Sequence, residues 1–216
     1  MKKTQSIMWG IILLSFVVGI ALYQAMPEKM ATHWNAAGEV NGYMPKIFGL
    51  FFVPYLLLFL LGLFLLIPKI DPLKSNIEKF RKYYDGFVVF LLVFLFYVHA
   101  LTLAWNLGIR FNMTTALLPA MGLLFYYLGV MMEKAKRNWF IGIRTPWTLS
   151  SDRVWDKTHK LGAKLYKAAG VVALFAILFG KYAIFLLIIP IIFSSVYLFL
   201  YSYWEYRKEA GNHFVK

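Results

Sequence analysis

Six long apolar runs, parted by short polar and often basic segments, set the pattern along the chain: Ser6 to Gln24, Ile47 to Ile67, Gly86 to Leu107, Thr115 to Met132, Leu165 to Gly180 and Tyr182 to Tyr203. About 20 mostly apolar residues cross the hydrocarbon core of a bilayer as a helix, so each run predicts a transmembrane helix. The fifth run is the weakest, and Lys181 alone parts it from the sixth. That spacing predicts a tight helical hairpin, because bilayer spans satisfy their backbone groups internally. The fold class expected is therefore all-α, an integral membrane helical bundle of about six transmembrane helices.

The chain carries no internal repeat, low-complexity tract or flexible linker, which predicts a single membrane domain over 1–216. Within it, 1–68 holds the first two spans and the loop between them, 69–133 the third and fourth, and 134–216 a polar segment and the final hairpin. The first run follows Lys2 and Lys3 as a signal peptide would. Its apolar core is longer than a signal core, and Met26-Pro27-Glu28 offers no small-residue cleavage pattern, so it is expected to stay as a span.

Composition agrees: 61% of the residues are hydrophobic, 19% aromatic and 15% charged, with a mean hydropathy of +0.63. Those values belong to a membrane protein. With a cytoplasmic N-terminus, the inner segments hold Lys2 and Lys3, then Lys69, Lys74, Lys79, Arg81 and Lys82, the basic residues from Lys134 to Lys167, and Arg207, Lys208 and Lys216. The outer segments hold Lys29, Lys46, Arg110 and Lys181. Cytoplasmic loops carry the excess of Lys and Arg, which puts both termini in the cytoplasm and the chain in the plasma membrane as a multi-pass protein. A net charge of +13 then suits anionic inner-leaflet lipid, at about 1 kcal/mol per basic residue, and needs no nucleic-acid partner. There is no Cys, so any metal site must be built from four His and ten Asp and Glu.

Two polar segments carry the candidate chemistry. The outer one, Met26 to Lys46, has turn residues at Gly38 and Asn41-Gly42 and interface residues at Trp34 and Tyr43, and reads as a short ordered loop. His33, Asn35, Glu39 and Glu28 could face outside as a polar cluster. Imidazole and carboxylate together suit a zinc-type ion, with His33, Glu39 and His99 from the third span as a candidate ligand set. The alternative is that His33 bonds the turn and His99 a neighbouring helix; no H-E-x-x-H spacing occurs.

The inner segment runs from Asn138 to His159. Gly142 and Pro146 forbid a continuous helix through its first half. Ser150 or Ser151 can then cap a helix, with Asp152 in its first turn. On that helix Asp152, Asp156 and His159 fall within roughly 60°, while Val154, Thr158 and Leu161 lie elsewhere. Asp156 and His159 could share a proton or an ion. The plainer expectation is a solvated interfacial helix anchored by Trp147 and Trp155, with Lys157 and Lys160 neutralising Asp156. Arg144 could cap a helix end, pair with a carboxylate or grip an anion. His33 and His159 lie on opposite faces and are not expected to share a metal.

The motif N-W-F-I-G-I-R-T-P-W-T-L from Asn138 to Leu149, followed by V-W-D-K-T-H from Val154 to His159, resembles the SdpI-type immunity proteins, small multispanning membrane proteins. The loop from Pro27 to Lys46 looks like the uncharacterised N-terminal segment common in that family. The resemblance implies tolerance to a secreted toxic peptide, with the His33 loop as the toxin-facing surface. It also implies signalling, in which toxin sensing holds a cytoplasmic repressor at the membrane. On that basis His33, Trp34, Asn35, Asn41, Asn138, Arg144, Thr145, Trp147, Trp155 and His159 are the candidate ligand-binding residues. A second function in contention is a zinc-dependent membrane peptidase with Glu39 or Asp156 as proton shuttle, using the outer set above or Asp152, Asp156 and His159. A third is transport, for which His99, Thr102, Asn106, Ser194 and Ser195, with Pro54 and Pro190 as kinks, offer a modest polar pathway.

Overall fold

The computed structural model describes residues 2–213. Lys216 lies outside the described residues, as do the side chains of Lys2 and Lys181. In chain order the elements are α1 (Lys2–Ala21), β1 (Lys29–Trp34), β2 (Val40–Pro45), α2 (Lys46–Ile70), α3 (Lys74–Lys79), α4 (Arg81–Asn106), α5 (Met113–Lys134), α6 (Pro146–Ser150), α7 (Asp152–Phe175) and α8 (Ala183–His213). All the helices but the short α3 and α6 are long and apolar enough to cross a membrane, which gives six spans among the described residues. An even number returns both ends of the chain to one side. The basic segments identify that side as cytoplasmic.

The inner half of the bundle is closed by Met8 and Ile12 of α1, Leu57 and Leu61 of α2, Tyr84, Val88 and Leu92 of α4, and Met131 of α5. The tightest helix pair is α5 with α7, and glycine makes it so. A Cβ on Gly122 would lie 2.7 Å from the Gly170 carbonyl oxygen, and one on Gly170 would lie 2.5 Å from the Gly122 oxygen. Gly129 faces the Ala163 carbonyl in the same way, at 2.8 Å. Lipid supplies no hydrophobic force between helices, so close backbone approach through small residues is what holds them together.

One expectation needs correction here, and another gains detail. The interfacial helix after Ser151 and the fifth span are one helix, α7, because nothing between Asp152 and Leu165 stops it. Gly162 is retained inside it, since a Cβ there would lie 2.7 Å from Ile143 Cδ1. The outer segment, expected as a short ordered loop, takes the form of a β-hairpin, with β1 antiparallel to β2. The link from α7 to α8 is a 3-10 turn, Ala176–Tyr182, in which Gly180 adopts φ 53°. That turn makes the expected tight connection between the last two spans.

The alignment of α7 on α5 also fixes depth. Gly129 lies against Ala163 and Lys167, and Lys167 bridges to Glu133 at the inner end of α5. Somewhat under two turns at the start of α7 therefore run on past the end of α5, toward the cytoplasm.

Candidate functional sites: an outer clasp and an inner elbow

The outer hairpin is held by amides from elsewhere in the chain. Asn106, at the end of α4, accepts the Ala31 N–H at 2.8 Å and donates to the Ala31 carbonyl at 2.9 Å. Asn112, which also caps α5 by accepting the Thr115 N–H, donates to the Ala37 carbonyl at 2.8 Å. Gly38, at φ 83°, brings the turn so close to Asn112 that a Cβ would sit 2.5 Å from its Nδ2. Within the turn, Asn35 Oδ1 accepts the Ala37 and Glu39 N–H groups, and its Nδ2 donates to Glu39.

Asn41-Gly42 is not the turn. It lies in β2, where Gly42 stands opposite His33 at an irregularity of register and a Cβ would lie 2.8 Å from the His33 Cβ. Beneath the hairpin, Trp34 meets Trp105 edge to face at 5.8 Å, and Arg110 stacks over Trp105 at 3.7 Å.

The inner elbow runs from Ala135 to Ser151 and is organised by side chains bonding backbone. Asn138 is fully buried and uses its whole amide: Oδ1 accepts the Phe140 and Ile141 N–H groups, and Nδ2 donates to the Lys136 and Ile141 carbonyls. Asp71, at the end of α2 and 2% exposed, accepts the Trp139 N–H at 2.9 Å. Asn76 of α3 donates to the Arg137 carbonyl at 2.9 Å. Thr145 caps α6 in a reciprocal box with Thr148, and its hydroxyl lies 3.0 Å from that of Ser202 on α8. Ser151 caps α7 and donates to Glu209 at 2.6 Å.

His159 is the pivot of the elbow. Its Nε2 accepts the Ile143 N–H at 3.0 Å, so the ring proton sits on Nδ1, 2.9 Å from the Trp155 carbonyl. That is the neutral imidazole. The Trp155 ring stacks on it at 3.9 Å and donates its own N–H to the Ala135 carbonyl at 3.0 Å. Gly142, at φ 111°, is required beside it, because a Cβ there would lie 2.4 Å from Nε2.

These contacts revise several expectations. Among the described residues no group of three or more His, Asp or Glu is placed to hold a metal ion, so neither candidate ligand set is assembled. In the outer set His33 hydrogen-bonds Asn41 at 2.5 Å, Glu39 bonds Asn35, and His99 is buried in α4 with both ring nitrogens unpartnered. In the inner set Asp152 pairs with Arg137 at 2.7 Å, Asp156 with Lys136 at 3.3 Å, and both nitrogens of His159 are engaged. Asp156 and His159 thus share neither proton nor ion. Lys157 does not neutralise Asp156, because it reaches Glu205 of α8. Trp155 is no interface anchor; it is fully buried. Trp147 packs on Phe199 and Tyr203 of α8, both at 5.1 Å. Arg144 grips no carboxylate; its guanidinium donates to the Trp139 carbonyl at 2.8 Å and stays exposed.

Asp71, Asn76, Asn112 and Arg137 were not singled out from sequence, and Asn106 only as part of a polar pathway. Each lies at the end of a span or in the short segment joining two spans, and that position is the signal they offered.

The structure thus defines a six-span membrane protein with two polar segments, a clasped outer hairpin and an inner elbow, at opposite ends of the bundle. The comparisons place it more closely. The model of the SdpI/YfhL protein family matches residues 134–202, the elbow with α7 and most of α8. A domain of unknown function (DUF1648) matches residues 10–58, which hold the second half of α1, the hairpin and half of α2. The immunity protein SdpI of Bacillus subtilis (strain 168) is 27% identical over 203 residues, covering 94% of this chain and 95% of the relative. No solved structure matches the chain.

Proposed function

We propose that the protein gives its cell tolerance to a secreted, membrane-active toxic peptide. In this reading the peptide is bound at the outer hairpin, and its arrival is signalled through the elbow to a cytoplasmic repressor. The observation that carries it is the similarity to an immunity protein along 203 residues, which is not confined to the apolar spans, where composition alone generates likeness. The hairpin suits the outer role because its backbone is fixed by Asn106 and Asn112 while His33, Asn41 and Tyr43 remain exposed. At the elbow, Asn138, Thr145, Trp155 and His159 are buried and act as scaffold, which leaves Trp139 and Arg144 as the exposed contact residues.

The test is expression in a sensitive bacterium challenged with a panel of membrane-active peptides. Cells carrying the chain should survive at least one peptide at concentrations about tenfold higher than control cells, a shift worth about 1.4 kcal/mol of binding. The double change His33→Ala, Asn41→Ala should return survival to the control level. Equal killing of expressing and control cells across the panel sinks the reading.

A further inference from the structure

Directly beneath the elbow, at the inner end of the bundle, three helices leave a cavity of about 300 Å³. Leu128 and Met132 of α5, Tyr166 of α7, and Ser195 and Leu198 of α8 form its walls; Gly142 and Ile143 of the elbow roof it. Its size falls at the lower end of ligand pockets, which run about 300–1,000 Å³, and like them it is mostly apolar with a few convergent polar groups.

The polar groups have a definite polarity. The Ser195 hydroxyl donates its single proton to the Ile191 carbonyl at 2.8 Å. Its 3.0 Å contact with Tyr166 must then have Tyr166 as the donor. Both protons are spent inside the protein. What the pair still offers the cavity is acceptor capacity on the Tyr166 oxygen, so the chemistry asks for an occupant that is apolar and brings one hydrogen-bond donor.

Depth and charge narrow the occupant further. Lys167, the next residue to Tyr166, pairs with Glu133 beside Met132, which sets the cavity level with the inner end of α5 and the interface of the inner leaflet. Ser195 is exposed on α8 between the exposed Phe193 and Val196, so the cavity wall borders the lipid-facing surface. Arg144, next to Ile143 of the roof, is exposed, and a basic residue there attracts anionic lipid.

We propose that this cavity is a binding site for one inner-leaflet phospholipid of the phosphatidylglycerol class. One acyl chain lies along Leu128, Met132 and Leu198, and a glycerol hydroxyl of the headgroup donates to the Tyr166 oxygen. The roof is the Gly142–Ile143 segment whose backbone His159 holds, so the lipid touches the family signature directly.

Native mass spectrometry of the full chain in detergent tests this. The probes are phosphatidylglycerol, phosphatidylmethanol with the same chains (equally anionic, without a headgroup hydroxyl), and phosphatidylcholine. The unaltered protein should retain one phosphatidylglycerol and prefer it to phosphatidylmethanol about fivefold, the size of one net hydrogen bond. Tyr166→Phe should erase that preference while leaving retention of anionic over zwitterionic lipid. Leu198→Trp, which fills the cavity, should abolish retention, whereas Leu178→Trp on the lipid-facing surface should not. Should Leu198→Trp fail to fold, Ser195→Ile at the exposed wall serves the same end. Equal retention of the two anionic lipids by the unaltered protein overturns the proposal, as does undiminished retention in both cavity-filling variants.

Discussion

Asn106 holds Ala31 as a paired strand would, with one amide closing both the N–H and the carbonyl of a residue 75 positions earlier in the chain. Ala31 stands opposite Tyr43 in the hairpin and is 1% exposed. Its outward backbone groups have no water to turn to.

Asn106→Ala therefore leaves two buried backbone groups unmade, at about 1–3 kcal/mol each. The hairpin should loosen while the helices stay. Amide hydrogen exchange on the reconstituted protein should show faster exchange at Met30 and Ala31 with no change in the α5 and α7 amides. Equal protection at Ala31 in both proteins would show that another group can take the place of the amide.

Gly170→Leu puts a side chain where the Gly122 carbonyl and the Tyr126 backbone already are, at 2.5 Å and 2.7 Å from a Cβ. Backbone cannot step aside as a flexible side chain can. The expected cost is about 3 kcal/mol or more, read as a loss of monodisperse protein on size exclusion and a fall of several degrees in Tm. Gly62→Leu, where nothing lies within 4 Å, should leave both measures unchanged.

His159→Phe keeps a flat ring to stack on Trp155 but removes the acceptor for the Ile143 N–H. The loss should be about 1–3 kcal/mol, together with a changed emission of the buried Trp155. A neutral histidine in this position also predicts acid sensitivity: protonation at Nε2 would set an N–H against the Ile143 N–H. The elbow should thus lose protection from exchange as pH falls, and His159→Phe should remove that pH dependence. Protection of Ile143 that falls equally steeply with pH in the variant would assign the sensitivity elsewhere.

Arg144→Gln forgoes one exposed hydrogen bond to the Trp139 carbonyl, worth no more than about 1 kcal/mol. The fold should survive with an unchanged Tm. If the elbow is the docking surface, the variant should keep toxin tolerance and lose recruitment of the cytoplasmic partner, seen as a fluorescent repressor fusion that stays in the cytosol. Retained recruitment places the docking surface on other residues.

The spans were legible because hydropathy over about 20 residues is a local property. The cap at Ser151 follows the same logic, since it bonds three residues ahead, whereas the cap at Thr145 was not read from sequence. What could not be read is what depends on distant partners. The outer segment becomes a hairpin only because Asn106 and Asn112 reach it from the ends of other helices. Trp155 resembles an interface anchor on the helix that carries it, and is buried because the elbow folds back over that face. Asp152 and Asp156 read as a carboxylate site until Arg137 and Lys136, on the far side of a turn containing Gly142, are brought against them. The α5–α7 seam did leave a trace, Gly122 with Gly129 and Ala163 with Gly170, each seven apart. It is faint among so many apolar residues.

Helix α7 begins in the cytoplasmic layer and ends in the bilayer without a break. At 1.5 Å per residue its 24 residues make a rod about 36 Å long, with Gly122, Gly129 and their partners as a smooth bearing along the membrane half. A tilt of about 10° about the midpoint would swing each tip by about 3 Å, which is the length of the hydrogen bonds that join Ser151 and Thr145 to α8 at the inner tip. Any tilt of α7 would thus be felt at the elbow by leverage, because one rigid rod joins the two levels.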